Sequence, residues 1–92
     1  MKIRWGIVGA GYIAGNFVSG LKSLEDAEVA AVGSWPPGQA AQFGERFGIP
    51  RRYDSYEALA QDKDIDIFYI GTPHALHREH TLMMLEAGRP VL

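Results

Sequence analysis

The sequence predicts an α/β fold of three layers, in which a doubly wound parallel sheet carries helices on both faces. Short apolar runs alternate along the chain with segments of helical periodicity, an order that builds parallel strands joined by helical crossovers. A cluster of glycines follows the first apolar run directly, as expected at a tight turn from a strand into a helix. The 92 residues, 47% of them hydrophobic, are enough for one domain, which we assign to residues 1–92.

The first two elements are a strand and the helix that follows it. Residues 3–8 form an apolar run with β-branched side chains, which is typical of a buried strand. A helix is predicted at about residues 11–24, because apolar side chains recur there every three or four residues and so share one helical face. These side chains are Ile13, Phe17, Leu21 and Leu24.

A second strand and a second helix are predicted next along the chain. Residues 29–33 are apolar and predict the strand. Pro36 and Pro37 then interrupt the pattern, because proline has no amide donor. The helix is predicted at residues 38–47, and Gly48 is a typical residue for ending it.

The rest of the chain repeats this alternation with shorter elements. The predicted elements are a short strand at 52–53, a helical turn capped by Asp54 or Ser55 and ending at residue 60, a strand at 65–70, a helix at 74–87 and a strand stub at 90–92. Because crossovers between parallel strands are right-handed, this order predicts a sheet with strand order 3-2-1-4-5.

Composition and charge exclude several classes of function. The net charge is −2, so the chain has no basic surface for nucleic acid. The absence of cysteine excludes disulfides, thiolate metal sites and thiol nucleophiles. No apolar run approaches the roughly 20 residues that cross a bilayer, and the N-terminus lacks a signal-peptide pattern. We therefore expect a cytoplasmic protein that binds neither nucleic acid nor membranes.

The glycine cluster has the G-x-G-x-x-A pattern of a turn that binds a dinucleotide, and it lies between a predicted strand and a predicted helix. Gly9 permits the tight turn, Gly11 leaves room for a pyrophosphate, and Ala14 lets the helix pack closely. The amides near Tyr12 and Ile13 begin a helix, where an anion is favoured. The alternative is a glycine-rich turn that binds no ligand.

The end of the second predicted strand bears on which dinucleotide would bind. NAD-binding versions of this turn have an acidic residue about 20 residues further on, which binds the adenosine ribose. Here Ser34 and Trp35 stand at that point, without an acid to repel a 2′-phosphate or an arginine to hold one. Ser34 can bond to a ribose or phosphate oxygen. Trp35 either covers the adenine or plugs the edge of the sheet, and NAD and NADP both remain open as cofactors.

The histidines after the fourth predicted strand are candidates for cofactor contacts and for metal ligands. His74 and His77 lie near the carboxyl ends of the strands, where ligands of such sheets bind. His80 is interpreted as a surface residue of the helix. Spacing of three does not bring all three imidazoles to one metal ion, so no metal site is predicted. A calcium loop is also excluded, and three alternating aspartates are interpreted as solvated residues before a strand: Asp62, Asp64 and Asp66.

Several motifs together resemble one oxidoreductase family. They occupy residues 5–11, 47–50, 55–59, 69–77 and 85–88, and the segment Thr-Pro-His-x-x-His is the most specific of them. The chain resembles, over essentially its whole length, the N-terminal domain of the glucose–fructose oxidoreductase / inositol dehydrogenase / MocA family. Within that family it looks similar to the dihydrodiol dehydrogenase-like subgroup.

This resemblance implies an oxidoreductase that uses NAD or NADP and acts on a sugar, polyol or diol. It also implies that the residues around the cofactor are Gly9, Gly11, Tyr12, Ile13, Ser34, Trp35, Thr72, Pro73, His74 and His77. The family commonly has arginine or another polar residue where Trp35 stands. Its Glu-Lys-Pro motif, which supplies the usual catalytic lysine, is expected just beyond Leu92, and its substrate domain follows. We therefore assign no catalytic residue and expect this chain to bind the dinucleotide without catalysis.

The predicted fifth strand also bears on assembly. In the family pattern more chain pairs beside it, and a bare edge next to apolar helix faces favours association. We therefore expect a homo-oligomer through residues 90–92 and the last helix. The alternatives to an enzyme domain are a non-catalytic dinucleotide-binding module and a self-assembling module without a ligand.

Overall fold

A computed structural model describes the backbone of residues 2–72 and 74–92, and all of their side chains except those of His74 and Ala75. Its elements are, in chain order, β1 (Ile3–Val8), α1 (Tyr12–Leu21), β2 (Ala27–Gly33), α2 (Gln39–Phe47), β3 (Arg51–Tyr53), α3 (Tyr56–Ala60), β4 (Ile67–Ile70) and α4 (His74–Glu86). The alternation of strands and helices predicted from the sequence is confirmed.

The strands form one parallel sheet with the order β3-β2-β1-β4. The predicted fifth strand is reduced to a single parallel bridge between Phe68 and Val91. The Phe68 amide donates to Pro90 O at 2.9 Å, and the Leu92 amide donates to Phe68 O at 2.8 Å. This short segment pairs with the side of β4 that faces away from β1, where the fifth strand is predicted. The doubly wound fold and the order of the strands are therefore confirmed.

Apolar side chains fill the space on both faces of the sheet. On one face α1 and α2 cover a cluster of buried residues that consists of Ile7, Ala14, Val18, Val32, Ala40, Phe43 and Ile49. On the other face α3 and α4 cover a cluster of buried residues that consists of Val8, Ala30, Ala31, Leu59, Ala60, Ile65, Phe68, Ile70 and Met84. The alternation of side chains along β1 sends Ile7 and Val8 to opposite faces.

The buried face of α1 matches the predicted one only in part: Leu21 is buried and Phe17 is half-buried, as predicted. Ala14, Val18 and Leu21 are the buried residues of this helix, whereas Ile13 and Leu24 are 61% and 52% exposed. The helix ends at Leu21, so Leu24 lies beyond it. Ala14 faces the sheet because α1 approaches the end of β4 closely at this position, where only a small side chain fits.

Aromatic packing anchors α1 over the centre of the sheet. The Phe17 and Tyr69 rings are stacked with centroids 3.7 Å apart, and Trp5 meets Phe17 edge-on at 5.1 Å. Alternation along the fourth predicted strand places Tyr69 opposite Phe68 and predicts that it packs against a helix rather than acting as an acid. Its stacking on Phe17 of α1 confirms this prediction.

The amino ends of the strands carry a network of charged side chains. Asp62 is buried and accepts from Arg51 Nε at 2.7 Å, from the Tyr53 hydroxyl at 2.8 Å and from the Asp64 amide at 2.9 Å. Burial alone would raise the pKa of Asp62, but these hydrogen bonds outweigh it and lower that pKa. The expectation that Asp62 is solvated is therefore wrong, because the loop before β4 folds its carboxylate inward.

None of the helices in the described part of the chain is long and apolar enough to cross a membrane.

Candidate functional site

A cleft of about 820 Å³ opens at the carboxyl ends of β1, β2 and β4. Parallel sheets of this kind bind their ligands at this edge. The following residues predicted from the sequence line the cleft: Gly9, Gly11, Tyr12, Ile13, Ser34, Trp35 and Thr72. The fold therefore brings together three segments that are distant in the sequence.

The turn from β1 into α1 forms the floor of the cleft, and Gly9 is the residue that permits it. Gly9 has φ of 104°, a conformation that residues with a side chain rarely adopt. A Cβ at this position would lie 2.9 Å from Thr72 Cγ2 and 3.1 Å from the Gly71 backbone. The Gly9 amide donates to Gly33 O at 2.8 Å, which joins this turn to the end of β2.

Gly11 plays a different part in the same turn. It is the N-cap of α1, with an extended φ of −94°, and no side chain caps the helix. A Cβ at Gly11 would meet nothing within 4 Å, so its hydrogen faces open space in the cleft. The first turn of α1 carries no acidic residue. Its free amides and the positive end of the helix dipole therefore form a binding site suited to an anion.

Close packing behind the turn depends on small residues. A Cβ at Gly71 would lie 3.0 Å from Ala14 Cβ, so α1 and the end of β4 approach each other closely. The third position of the glycine pattern, Ala14, is fully buried. This packing holds the N-terminus of α1 against the carboxyl edge of the sheet.

Ser34 and Trp35 lie at the end of β2 in contrasting environments. Ser34 is buried, and its hydroxyl donates to Gln39 Oε1 at 3.0 Å. Trp35 lines the cleft and is 62% exposed. That exposure favours a ring that covers the opening of the cleft over one that plugs the edge of the sheet.

The wall formed by α2 was not anticipated. Gln39, Gln42, Phe43 and Arg46 line the cleft from this helix. Arg46 is exposed, with its guanidinium carbon 5.1 Å from the centroid of the Phe47 ring. Arg46 follows Phe43 by three residues and Gln39 by seven, so the three side chains lie along one face of the helix. This periodicity in the sequence could have revealed the wall. Among the described residues that line the cleft there is no carboxylate, and Arg46 supplies a positive charge.

The opposite wall contains Tyr56 from α3 and Leu76 from α4, which sequence reasoning also missed. Ser55 caps α3, as one of the predicted alternatives had it, by accepting from the Ala58 amide at 3.1 Å. This cap fixes the start of α3 and with it the position of Tyr56.

The histidines of α4 have different surroundings. The exposed His77 does not line the cleft, and its Nε2–H donates to Ile70 O at 3.0 Å. His80 is only 4% exposed, so its prediction as a surface residue is wrong. Its Nδ1 lies 2.9 Å from Thr72 Oγ1, and its ring packs on Tyr56 with centroids 4.1 Å apart. Pro73 lies outside the described residues, as does the side chain of His74.

Comparison with known proteins identifies the family. A model of an oxidoreductase family with an NAD-binding Rossmann fold matches residues 3–92. The chain belongs to this family. The predicted kinship with glucose–fructose oxidoreductase, inositol dehydrogenase and MocA is thereby confirmed, and the domain is an NAD-binding Rossmann domain.

Relatives in sequence include trans-1,2-dihydrobenzene-1,2-diol dehydrogenases. The enzyme from Mus musculus is 44% identical over 94 aligned positions, which cover 100% of this chain and 28% of the mouse protein. The human enzyme is 39% identical over the same span. The chain therefore spans little more than a quarter of the length of these relatives.

Solved structures agree with this assignment. KijD10, a 3-ketoreductase from Actinomadura kijaniata determined with NADP, superposes with a TM-score of 0.90 at 34% identity, over 100% of this chain and 29% of its own. Scyllo-inositol dehydrogenase from Lactobacillus casei, determined with NAD(H) and scyllo-inositol, has a TM-score of 0.85 at 24% identity, over 99% of this chain and 27% of its own. The second likeness is one of fold alone.

Proposed function

We propose that the cleft binds the dinucleotide of an oxidoreductase, with the pyrophosphate at the N-terminus of α1. The observation that carries this proposal is the open face of Gly11, where a Cβ would meet nothing within 4 Å, beside the uncapped first turn of α1. A pyrophosphate that approaches Gly11 accepts hydrogen bonds from the amides near Tyr12 and Ile13.

The adenosine half is proposed to lie towards the end of β2. Trp35 presents an exposed ring that can stack on the adenine, and the Ser34 hydroxyl, which donates to Gln39 Oε1, can accept a hydrogen bond from a ribose hydroxyl. Because the described lining has no carboxylate and contains Arg46, the cleft tolerates the 2′-phosphate of NADP as well as the free hydroxyl of NAD.

The nicotinamide half is proposed to lie towards the end of β4. Thr72 lines the cleft at that end, and Pro73 and His74 follow it in the chain. His77 is proposed to support the nicotinamide site indirectly, since its hydrogen bond to Ile70 O joins α4 to the end of β4. The nicotinamide, when bound, supplies hydride transfer, and these residues orient it against the sheet edge.

The reaction of the whole protein is proposed to be the oxidation of a sugar, polyol or diol, or the reverse reduction. The support is the kinship with dihydrodiol dehydrogenases and with a 3-ketoreductase. Among the described residues that line the cleft none is a lysine, so we assign no catalytic residue within residues 1–92. The chain alone is proposed to bind cofactor without turnover.

A cytoplasmic homo-oligomer is also proposed. The support for the oligomer is the exposure of the apolar side chains of Leu82 and Leu85 on α4 and of Leu92 in the last segment. Sedimentation of the chain over a range of concentrations tests this, and a monomer at high micromolar concentration would contradict it.

The dinucleotide proposal is tested by titrating the chain with NADH and NADPH, followed by nucleotide fluorescence and calorimetry. Gly11→Val is expected to weaken binding about a hundredfold or more, roughly 2.7 kcal/mol, because the isopropyl group fills the pyrophosphate position. The matched control is Gly20→Val, which adds the same group at an exposed position of α1 with nothing within 4 Å. No binding by the unaltered chain at millimolar cofactor, or equal losses in both variants, would contradict the proposal.

A further inference from the structure

We infer that His80 is a positioning residue of the cofactor cleft, which acts through the hydroxyl of Thr72 and sets the direction in which that hydroxyl bonds. The inference rests on the proposed function. It concerns a residue that does not line the cleft itself and whose contact with Thr72 bridges α4 and the end of β4.

The contact between these residues is short and buried. His80 Nδ1 and Thr72 Oγ1 are 2.9 Å apart, and the two residues are 4% and 7% exposed. Thr72 also lines the cleft, and its Cγ2 methyl lies close to Gly9. Thr72 therefore belongs to the lining of the cleft while its hydroxyl is bonded to the imidazole of His80.

The imidazole determines what the hydroxyl offers to a ligand. When Nδ1 is unprotonated, the Thr72 hydroxyl donates to it and presents only lone pairs towards the cleft. When Nδ1 carries a proton, it donates to Thr72, and the hydroxyl proton is free to bond to a ligand. The tautomer and charge of His80 therefore select whether Thr72 accepts from the cofactor or donates to it.

The surroundings of His80 keep the imidazole neutral. Burial is the largest cause and lowers the pKa of His80, Glu79 on α4 and Glu57 on α3 act against it, and His77 adds a smaller lowering. Tyr56 packs on the ring from α3, at 4.1 Å between centroids, and also lines the cleft. A neutral, orientated imidazole can serve as either partner of the Thr72 hydroxyl.

A purely structural role is the competing interpretation, because a buried ring on Tyr56 also stabilises the fold. Two substitutions separate the two roles. His80→Asn retains a polar group near the position of Nδ1 but loses the ring, whereas His80→Phe retains an aromatic ring against Tyr56 but loses the hydrogen bond. If the role of His80 is structural, His80→Asn should weaken cofactor binding more than His80→Phe does. If His80 positions Thr72, His80→Phe should weaken binding more.

The experiment measures the affinity of the chain for NADH and NADPH, with the thermal midpoint of each variant recorded alongside. His80→Phe is expected to weaken binding about fivefold to tenfold, as for the loss of one buried hydrogen bond, and His80→Asn to restore affinity to within about threefold of the unaltered chain. Thr72→Val alone is expected to weaken binding similarly. Adding His80→Phe to it should cost little more, because both changes remove the same bond.

The outcomes separate this inference from the proposed function. No binding by the unaltered chain would overturn both. Binding by the unaltered chain, with equal affinity in His80→Phe or with additive losses in the double variant, would overturn only the role of His80. If His80→Phe does not fold, the ¹⁵N resonances of the His80 ring in the unaltered chain decide. Resonances that move on addition of NADPH support the inference, and unchanged ones overturn it.

Discussion

The two edges of the sheet satisfy their polar groups in different ways. At the amino edge the charged side chains bond to one another and to the chain: Arg4 Nη2 lies 3.1 Å from Asp66 Oδ1, and Arg89 Nη2 donates to Ile65 O at 2.7 Å. At the carboxyl edge the turn into α1 has no side-chain cap, and Tyr12 is 84% exposed. The polar groups described at the amino edge therefore bond within the chain, whereas the carboxyl edge leaves backbone donors and apolar surface open to a ligand.

This difference separates the residues that stabilise the domain from those available to a ligand. A polar network that is complete within the chain contributes to stability and leaves little for a partner to bind. Uncapped amides beside exposed aromatic and apolar side chains gain by meeting a ligand that carries both phosphate and flat rings. A dinucleotide has both, which is why we propose the carboxyl edge as the site.

The largest effect is expected where one residue serves both stability and binding. Gly9→Ala should destabilise the chain by about 1–3 kcal/mol, because φ of 104° is strained for alanine and its Cβ would lie 2.9 Å from Thr72 Cγ2. Binding of NADH should fall as well, since relieving the contact moves the turn. Denaturant unfolding and a cofactor titration measure the two effects, and a variant with unaltered stability would contradict this account of the turn.

The next effect should appear at the amino edge in stability alone. Asp62→Asn is expected to lower the free energy of unfolding by about 2 kcal/mol, because it weakens the bonds from Arg51 and Tyr53 to a buried carboxylate. Cofactor affinity should stay unchanged. Urea unfolding with a parallel titration provides the test. A large loss of affinity together with retained stability would show that the two edges are not separate.

A smaller effect is expected from the positive charge in the cleft. Arg46→Gln should weaken NADPH binding about tenfold, or about 1.4 kcal/mol, and should change NADH binding much less, because only NADPH carries the 2′-phosphate. Lys63→Gln is the control, since it removes the same charge from an exposed residue before β4, at the other edge. Equal losses for both nucleotides would place Arg46 away from the 2′-phosphate.

The smallest effect concerns pH. Burial lowers the pKa of His80 below the ordinary value of about 6.5, so the unfolded chain binds a proton there before the folded chain does. Stability from this group is present above about pH 6.5 and is lost as the pH falls towards the folded pKa. Unfolding measured between about pH 5 and 7 should show a steeper decline for the unaltered chain than for His80→Asn. Identical slopes would contradict a buried neutral imidazole.

The sequence was sufficient to predict the order of the elements and the glycine turn, because both follow from local patterns. Apolar runs and proline positions mark strands and their ends. The spacing of Gly9 and Gly11 indicates a tight turn from a strand into a helix with room for a ligand at the backbone. The same logic predicted that Tyr69 packs on a helix, which the stacked Phe17 ring confirms.

Contacts between distant segments were beyond this reasoning. The burial of His80 depends on Thr72 and Tyr56, and that of Asp62 depends on Arg51, so neither follows from its neighbours in sequence. Arg46 lines the cleft from α2, which packs against α1. The prediction placed Ile13, a large apolar residue, on the inward face of α1. The structure buries Ala14 instead, because the helix approaches Gly71 closely at that point.

The most direct test of the central claim is a map of amide chemical shifts as NADPH and then NADH are added to the ¹⁵N-labelled chain. The account predicts that the largest changes fall on Gly11, Tyr12 and Ile13, while the amides of Asp62 and Asp66 at the other edge stay unchanged. Shifts concentrated at the amino edge, or none at millimolar nucleotide, would contradict it.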